Sequence, residues 1–314
     1  MQQNQIQYQP YPPSSASDDE IDLRELFSAI WNGKWIIIVV TAIFAIASVI
    51  YALKQPNIYK ADALLAPAEN SGGGLSKMAG QLGGLAALAG VNIGGAEASQ
   101  ADLAVQVMMS RKFLESFIKK HDLLVPLMAT KGWNMTKNKL VFDKELYNVK
   151  DKKWLREPNG LRGEVPTAQE SYERFVKNTL KITQDKESGL YTVSVMHYSP
   201  YIAQQWVTWL VDDINKVMRQ RAISETTQNL AYLNSQIQKT AVADMQSTFY
   251  KLIEEQTKSL MLAEVQDEFV FEVVDPAIVP EVKDQPKRAL IVVLGLLLGL
   301  IFGIITVLFK SFFK

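Results

Sequence analysis

Residues 35–53 read WIIIVVTAIFAIASVIYAL, nineteen residues without a charged side chain. Near the other end of the chain, residues 289–309 read ALIVVLGLLLGLIFGIITVLF, twenty-one residues without one. About 20 apolar residues, at a rise of about 1.5 Å per residue, span a hydrocarbon core of about 30 Å. The two segments therefore predict two membrane-spanning helices, with the chain between them on one side of the membrane and both ends on the other.

The two predicted spans divide the chain into five parts. These are a tail at 1–34, a first span at 35–53, a domain at 54–288, a second span at 289–309 and a tail at 310–314. Lys and Arg flank the spans on both sides, so their count does not decide the orientation. Short tails inside the cell and a large domain outside is the arrangement we expect for such a hairpin.

The composition narrows the classes of function. The 33 Lys and Arg residues balance 33 Asp and Glu residues, and no basic stripe supports a nucleic-acid partner. There is no Cys, which excludes disulfides, thiol chemistry and thiolate zinc sites. The only histidines, His121 and His197, have no acid or hydroxyl at the spacing of a catalytic motif. Asp212 and Asp213 are adjacent in a predicted helix, so their side chains diverge by about 100° and cannot jointly hold a metal. We therefore predict no catalytic residues, no cofactor and no metal site.

The domain sequence mixes helix and strand signals, which favours an α+β fold. Strands are predicted at 59–66, 180–184, 190–197 and 269–274, and helices at 102–121, 167–177, about 200–240 and 244–265. The longest helix opens with Ser199 and Pro200, a favourable N-cap and first helical residue. Its first half has an apolar face, but Arg219–Gln228 is polar almost all round. That part must project from the domain or contact other copies of the chain.

Other segments carry weaker signals. Residues 1–17 are rich in Gln, Pro and Ser and are predicted to be disordered, and residues 18–34 predict a short amphipathic helix at the membrane surface or a plain lead-in to the first span. Residues 71–95 contain nine glycines among apolar residues, which predicts a mobile loop with an apolar stripe. Residues 130–162 are rich in Lys, Trp and Asn and are predicted to be irregular.

Small residues recur on one face of each predicted span. In the second span they are Gly295, Gly299 and Gly303, and in the first span Thr41, Ala45, Ser48 and Ala52. Small residues let helix backbones approach closely in lipid, so we predict that the two spans pack directly against each other. The alternative is that glycine is simply common in membrane helices. Neither span contains an ionisable residue, so an ion or proton path is not expected.

A proline segment precedes the second span. Pro276, Pro280 and Pro286 each fix φ near −65° and remove a backbone donor. We predict that the segment is a semi-rigid strut that joins the strand at 269–274 to the second span. The alternative is that the prolines only prevent the strand and the span from fusing into one helix.

Both ends of the chain resemble the Wzz family of bacterial polysaccharide co-polymerases, or chain-length determinants. The clearest resemblance is LIEEQTKSLMLAEVQDEFVFEVVDPAIVPEVKDQPKRAL at 252–290, in which Asp275-Pro276 ends a strand and Pro286-Lys287-Arg288 precedes the last span. DDEIDLRELFSAIWNGKW at 18–35 and the Gly- and Leu-rich segment after the first span also agree. The segment 130–162 matches no motif of the family.

The resemblance implies a bacterial inner-membrane protein with an α/β periplasmic domain and a long protruding helix. Such proteins form homo-oligomeric rings, here expected to contain about eight subunits, that organise a Wzy-type polymerase. They set how many repeat units are added to a lipid-linked glycan such as O-antigen, and they are not enzymes. The sequence has no Walker motif and no tyrosine-rich tail, so it resembles the kinase-free class. Two alternatives stay open: a membrane-anchored glycan transferase, and an adaptor for a capsule-export tyrosine kinase.

Overall fold

The computed structural model describes residues 31–68, 100–239 and 242–313. The predictions for 1–17, for most of 18–34 and for 71–95 fall outside the described residues. Two compact units are present. One contains the two apolar helices and is called the helix pair, and the other, Pro56–Pro286, is called the domain.

The structure confirms a mixed helix and sheet fold. The helices are α1 Lys34–Lys54, α2 Gln100–Met108, α3 Arg111–Lys120, α4 Leu124–Met128, α5 Ala168–Arg174, α6 Pro200–Lys239, α7 Ala243–Val265 and α8 Arg288–Phe312. The strands are β1 Tyr59–Pro67, β2 Thr130–Asn134, β3 Lys139–Phe142, β4 Tyr147–Asn148, β5 Lys153–Trp154, β6 Leu180–Gln184, β7 Tyr191–His197 and β8 Phe271–Asp275. A single π-helical turn, Phe175–Thr179, follows α5.

In the helix pair, α1 and α8 are both long and apolar enough to cross a membrane. They run antiparallel, because the start of α8 lies near the end of α1: the Nε of Arg288 donates to the carbonyl of Ala52 at 3.1 Å. Large apolar side chains such as Ile43, Ile46 and Leu297 point away from the partner helix and are exposed. An exposed apolar surface that surrounds two helices is what a lipid environment requires.

The domain is built on a four-stranded antiparallel sheet in the order β6-β7-β1-β8. The central pair has a regular register, from Tyr59 opposite His197 to Leu65 opposite Tyr191. The strands predicted at 180–184 and 190–197 are confirmed as β6 and β7, and they pair as an antiparallel hairpin. One face of β7 is buried, with Val193 and Val195 fully so, and Ser194 on the other face is buried as well.

Helices cover the inner face of the sheet and close the core. The first half of α6 inserts Trp206, Leu210 and Ile214, which pack with Phe117 of α3 and Phe175 of the π-helical turn. The single helix predicted at 102–121 is wrong. It divides into α2 and α3, because the Ser110 side chain accepts the backbone N–H of Phe113 at 3.3 Å and begins a new helix there.

The second half of α6 pairs with α7. The two helices are antiparallel, since Nη1 of Arg219 donates to the carbonyl of Gln266, the residue just after α7, at 3.1 Å. The polar stretch Arg219–Gln228 is therefore partly covered within one chain, and Thr226 is buried. The sequence predicts that this stretch projects from the domain or contacts other copies of the chain. In the structure, α7 of the same chain covers part of it.

The segment 130–162 is not irregular as predicted. It contains two short hairpins, β2–β3 and β4–β5. They enclose a small apolar cluster of their own, formed by Ala129, Tyr147 and Trp154. Strands this short show no clear periodicity in the sequence. They are stabilised by packing against this local apolar cluster.

Candidate functional site

The glycine face of α8 lies directly on α1. A Cβ placed on Gly299 would lie 2.9 Å from the Cα of Thr41, and one placed on Gly295 would lie 2.6 Å from the Oγ of Ser48. Contacts this short do not occur between real side chains. At both positions atoms of α1 therefore occupy the space that a larger residue on α8 would need.

The close approach continues toward the far end of the pair. A Cβ on Gly303 would lie 3.0 Å from the Cα of Ile37, and one on Gly33, just before α1, would overlap the side chain of Val307. Sequence reasoning named Gly303 but not Ile37, Gly33 or Val307. The position of Gly33 beside the first span could have indicated a close contact, but nothing in the sequence indicates that the contact is with Val307.

The predicted small stripe on α1 is the covered side of that helix. Ala52 is buried, Thr41, Ala45 and Ser48 are partly buried, and the residues between them are mostly exposed. One large residue shares this side. Phe44 packs its ring on Phe302 of α8, with centroids 5.5 Å apart.

Polar atoms within the helix pair bond mainly to the backbone of their own helix. The Ser48 hydroxyl donates to the carbonyl of Ala45 at 2.8 Å, and the Thr306 hydroxyl donates to the carbonyl of Phe302 at 2.7 Å. The Oγ1 of Thr41 is buried and has no hydrogen-bond partner among the described residues. These groups therefore add little specific polar attraction between the helices, and close packing is the main interaction.

The proline segment is fastened to the domain near both of its ends. The Nε2 of Gln204, on α6, donates to the carbonyl of Ala277 at 3.2 Å. The carbonyl of Ile58 accepts the N–H groups of Asp284 and Gln285 at 2.9 and 3.2 Å, and the N–H of Ile58 donates back to Gln285 at 2.9 Å. Pro276 is exposed, and Pro280 and Pro286 are partly buried.

The aspartate pair is split as the helix geometry predicts. Asp212 is exposed, whereas Asp213 faces inward and is only 6% exposed. Its two carboxylate oxygens accept from Nζ of Lys120 at 2.6 Å and from Nε2 of His121 at 2.9 Å. The His121 ring also stacks on Trp209, with centroids 4.2 Å apart.

Sequence reasoning missed the contact between α3 and α6 that Asp213 makes. The partners are more than ninety residues apart in sequence. An acid on the apolar face of a helix is the signal that could have indicated it. The cluster joins two elements of the core, and no group of three or more His, Cys, Asp or Glu residues in the described ranges is arranged to hold a metal.

The other histidine is buried in the neutral form. Burial lowers the pKa of His197 to about 4. Its Nε2 lies 3.3 Å from the carbonyl of Pro126, and its Nδ1 accepts the backbone N–H of Ser199 at 3.1 Å. The ring thus uses one nitrogen as a donor and the other as an acceptor, which fits a structural role at the end of β7.

A second ion pair fixes the loop that follows the two small hairpins. Arg156 binds Glu170 through both terminal nitrogens, at 2.6 and 2.8 Å, and these hydrogen bonds lower the pKa of Glu170 to about 2. Glu170 also completes a capping box with Thr167 at the start of α5.

Comparison with family models gives two matches. Residues 19–121 match the Wzz model, the chain length determinant protein, and residues 234–312 match the GNVR model, a G-rich domain on candidate tyrosine kinases. The first of these matches covers the first apolar helix and the start of the domain, so the chain is similar to the Wzz family over this part.

Comparison with individual proteins adds shorter and weaker likenesses. A stretch of 71 residues, 21% of this chain, is 39% identical to the tyrosine-protein kinase etk of Escherichia coli K12, and it spans 10% of that protein. A solved full-length bacterial polysaccharide co-polymerase is 15% identical over 92% of this chain and 97% of its own, with a TM-score of 0.36. A fragment of WzzB from Salmonella Typhimurium is 12% identical over 73% of this chain and all of its own, with a TM-score of 0.30.

Proposed function

We propose that this protein regulates the chain length of a bacterial surface polysaccharide, O-antigen or a related glycan, as a non-enzymatic scaffold in the inner membrane. The observation that carries the proposal is the Wzz match over residues 19–121, which begins before one apolar helix and continues into the domain. The partner in this role is a Wzy-type polymerase that extends a lipid-linked glycan.

Deleting the gene and separating the cell's lipopolysaccharide on a gel tests this function. Loss of the modal length, with polymer still present, supports a regulator, whereas loss of all polymer indicates the glycan transferase considered above. Purified protein incubated with lipid-linked oligosaccharide and no polymerase provides the matched control. Turnover in that reaction would contradict the scaffold.

The proposed topology places both tails in the cytoplasm and the domain in the periplasm, because two spans return the chain to its starting side. Alkaline phosphatase fused after Lys153 should be active, and the same enzyme fused after Lys314 should be inactive. The opposite pattern would place the domain in the cytoplasm and remove the basis for contact with a periplasmic glycan.

A homo-oligomeric ring is part of the proposal, closed by cyclic symmetry. The resemblance to the Wzz family implies about eight subunits. The support within the chain is the α6–α7 hairpin, which leaves Tyr232, Tyr250, Met261 and Val265 exposed. Large exposed apolar side chains that recur on one hairpin favour contact with another chain. Native mass spectrometry in detergent should give a single closed oligomer, and a monomer alone would contradict the ring.

We also propose that the proline segment transmits the geometry of the assembled domains toward the second span. Its hydrogen bonds to α6 and to Ile58 support this role, because a segment fastened at two points cannot swing freely. Replacing Pro276, Pro280 and Pro286 by Ala should leave assembly intact and shorten and broaden the polysaccharide distribution. Intact rings with a normal distribution would end the strut hypothesis in favour of prolines that only separate strand from span.

Partnership with a tyrosine kinase is a second candidate, favoured by one observation. The GNVR match at 234–312 and the likeness to part of etk both connect the chain with proteins described as kinases. Affinity purification of the full chain from its own host should recover a cytoplasmic ATPase if this role is correct. Recovery of a polymerase without such an ATPase would favour the kinase-free class.

A further inference from the structure

The Lys-rich stretch that the proposed function does not use forms a separate surface. Strands β2 and β3 make a hairpin of residues 130–142, here called the basic hairpin. It carries Lys131, Lys137 and Lys139 and no acidic residue, in a chain with no net charge. Lys131 lies 3.7 Å from Asp143. The ammonium groups of Lys137 and Lys139 form no ion pair with any residue in the described ranges.

The turn of the basic hairpin is braced and presents an apolar tip. Asn134 Oδ1 accepts the backbone N–H of Lys137 at 2.9 Å, and Asn138 Oδ1 accepts the indole N–H of Trp133 at 3.0 Å. The side chain of Met135 stands between these braces and is 71% exposed. An exposed apolar tip beside lysines suits the boundary of a bilayer, where the tip enters the acyl region and the ammonium groups stay at the level of the phosphates.

The hairpin lies at the end of the sheet where the chain continues into both apolar helices. Trp133 packs edge-on against Tyr59, with centroids 5.8 Å apart, and its ring lies 6.1 Å from that of Tyr201. Tyr59 begins β1, five residues after the last residue of α1. The preceding residue, Ile58, pairs with Gln285, three residues before α8 begins. Aromatic packing therefore fixes the basic hairpin beside both exits of the chain.

We propose that the basic hairpin binds the anionic phospholipid headgroups of the membrane that α1 and α8 cross. The inference rests on the membrane topology given under the proposed function, and not on control of chain length. The hairpin offers unpaired positive charge to phosphate. The Trp133 ring is partly buried between Tyr59 and Tyr201 and its N–H is already bonded, so the hairpin lacks the open aromatic face that would favour a glycan.

A single-cysteine label tests the contact in the full chain, because the natural sequence has no Cys. An environment-sensitive dye is placed at Met135→Cys, and the protein is inserted in nanodiscs of phosphatidylcholine with or without phosphatidylglycerol, each with brominated lipid as a quencher. Met245→Cys, half exposed in the first turn of α7, is the matched control. A second label at Thr136, in the same turn of the hairpin, provides an independent reading.

The label at 135 should be quenched in discs that contain phosphatidylglycerol, less so at high salt, and the label at 245 should not. Lys137→Gln with Lys139→Gln should lower the ratio of lipid-bound to detached hairpin by about 30-fold, which corresponds to roughly 1 kcal/mol for each lysine near an anionic surface. Lys251→Gln with Lys258→Gln removes the same charge from the exposed surface of α7 and should change nothing.

Equal quenching at 135 and 245, or a label at 135 that stays in water in both lipids, would overturn the proposal. A response at 135 to added soluble polysaccharide but not to lipid composition would overturn it in favour of a glycan surface. The proposed function is tested separately, by the banding of the cell's polysaccharide on a gel. Normal length control in cells that carry the Lys137 and Lys139 variant, together with lost quenching, would support the lipid contact and leave the chain-length role standing.

Discussion

Enlarging Gly299 should separate the two apolar helices. In Gly299→Ala, the new Cβ would lie 2.8 Å from the Cβ of Phe44 and 2.9 Å from the Cα of Thr41, where ordinary contacts are 3.4–4 Å. The helices must move apart locally by roughly 0.5–1 Å, and a gap of that size forfeits about a quarter to a half of the attraction between facing atoms. We expect Gly299→Ala to destabilise the pair by about 1–3 kcal/mol and Gly299→Leu by more, since overpacking is relieved only by separation.

Excimer fluorescence between pyrene labels on cysteines introduced at Ile38 and Phe309 reports the separation of the helices. The labelled protein is titrated with a denaturing detergent, and the midpoint is compared between variants. Leu298→Phe adds bulk next to Gly299 on the exposed side of α8 and serves as the control. We expect the highest midpoint for the wild type and Leu298→Phe, a lower midpoint for Gly299→Ala and the lowest for Gly299→Leu. If Gly299→Leu and Leu298→Phe share a midpoint, the close approach is absent in the membrane.

Three predictions concern the domain and are measured by chemical denaturation of the full chain. Asp213→Ala should cost about 1–3 kcal/mol, because it leaves the mostly buried His121 ring without its carboxylate partner and removes the ion pair with the more exposed Lys120. The exposed neighbour Asp212→Ala should change stability by less than about 0.5 kcal/mol. His197 has a pKa of about 4 in the folded protein, against an ordinary value of 6.5, so between these pH values the unfolded chain binds a proton that the folded chain does not. Stability should therefore fall as the pH drops from 6.5 to 4, and His197→Gln should remove this pH dependence. Glu170, bound by Arg156, has a pKa of about 2 in the folded protein, against an ordinary value of 4.5. Its contribution to stability is present above pH 4.5 and should be lost as the pH falls from 4.5 to 2. Glu170→Gln should abolish this pH-dependent loss of stability.

Elements with a strong local pattern were predictable from the sequence. The alternation along β7 and the N-cap before α6 depend only on neighbouring residues, and the structure has both elements close to their predicted bounds. The break at Ser110 was not predicted, because an apolar stripe continues across it and only the turn of the chain onto the core decides where α3 begins. Helix spacing alone does not distinguish one long helix from two short ones that share a face.

Charged and polar pairs that cross long stretches of sequence were beyond prediction. Asp213 is far from His121 in the chain, and nothing local indicates which helix covers it. Asn215 is similar. Its amide oxygen accepts the N–H groups of Val270 and Phe271 at 2.9 Å, and its amide nitrogen donates to the carbonyl of Phe271, which fixes the start of β8 on α6. Buried polar residues obtain partners from the tertiary fold, so their roles follow from the fold and not from spacing.

The helix pair illustrates both sides of this limit. A four-residue period places three glycines on one face, and that regularity is local, so the face could be named from sequence. The sequence also suggested that small residues on α1 would meet the glycines. In the structure Ser48 and Thr41 do lie there, but Phe44 shares the same side. Its Cβ is the atom nearest to a Cβ built on Gly299, and its ring stacks on Phe302. The glycine face therefore accommodates a large side chain as well as a close backbone. Gly299 is the position where these two demands coincide, which is why the substitution there, and not at the neighbouring Leu298, should separate the helices.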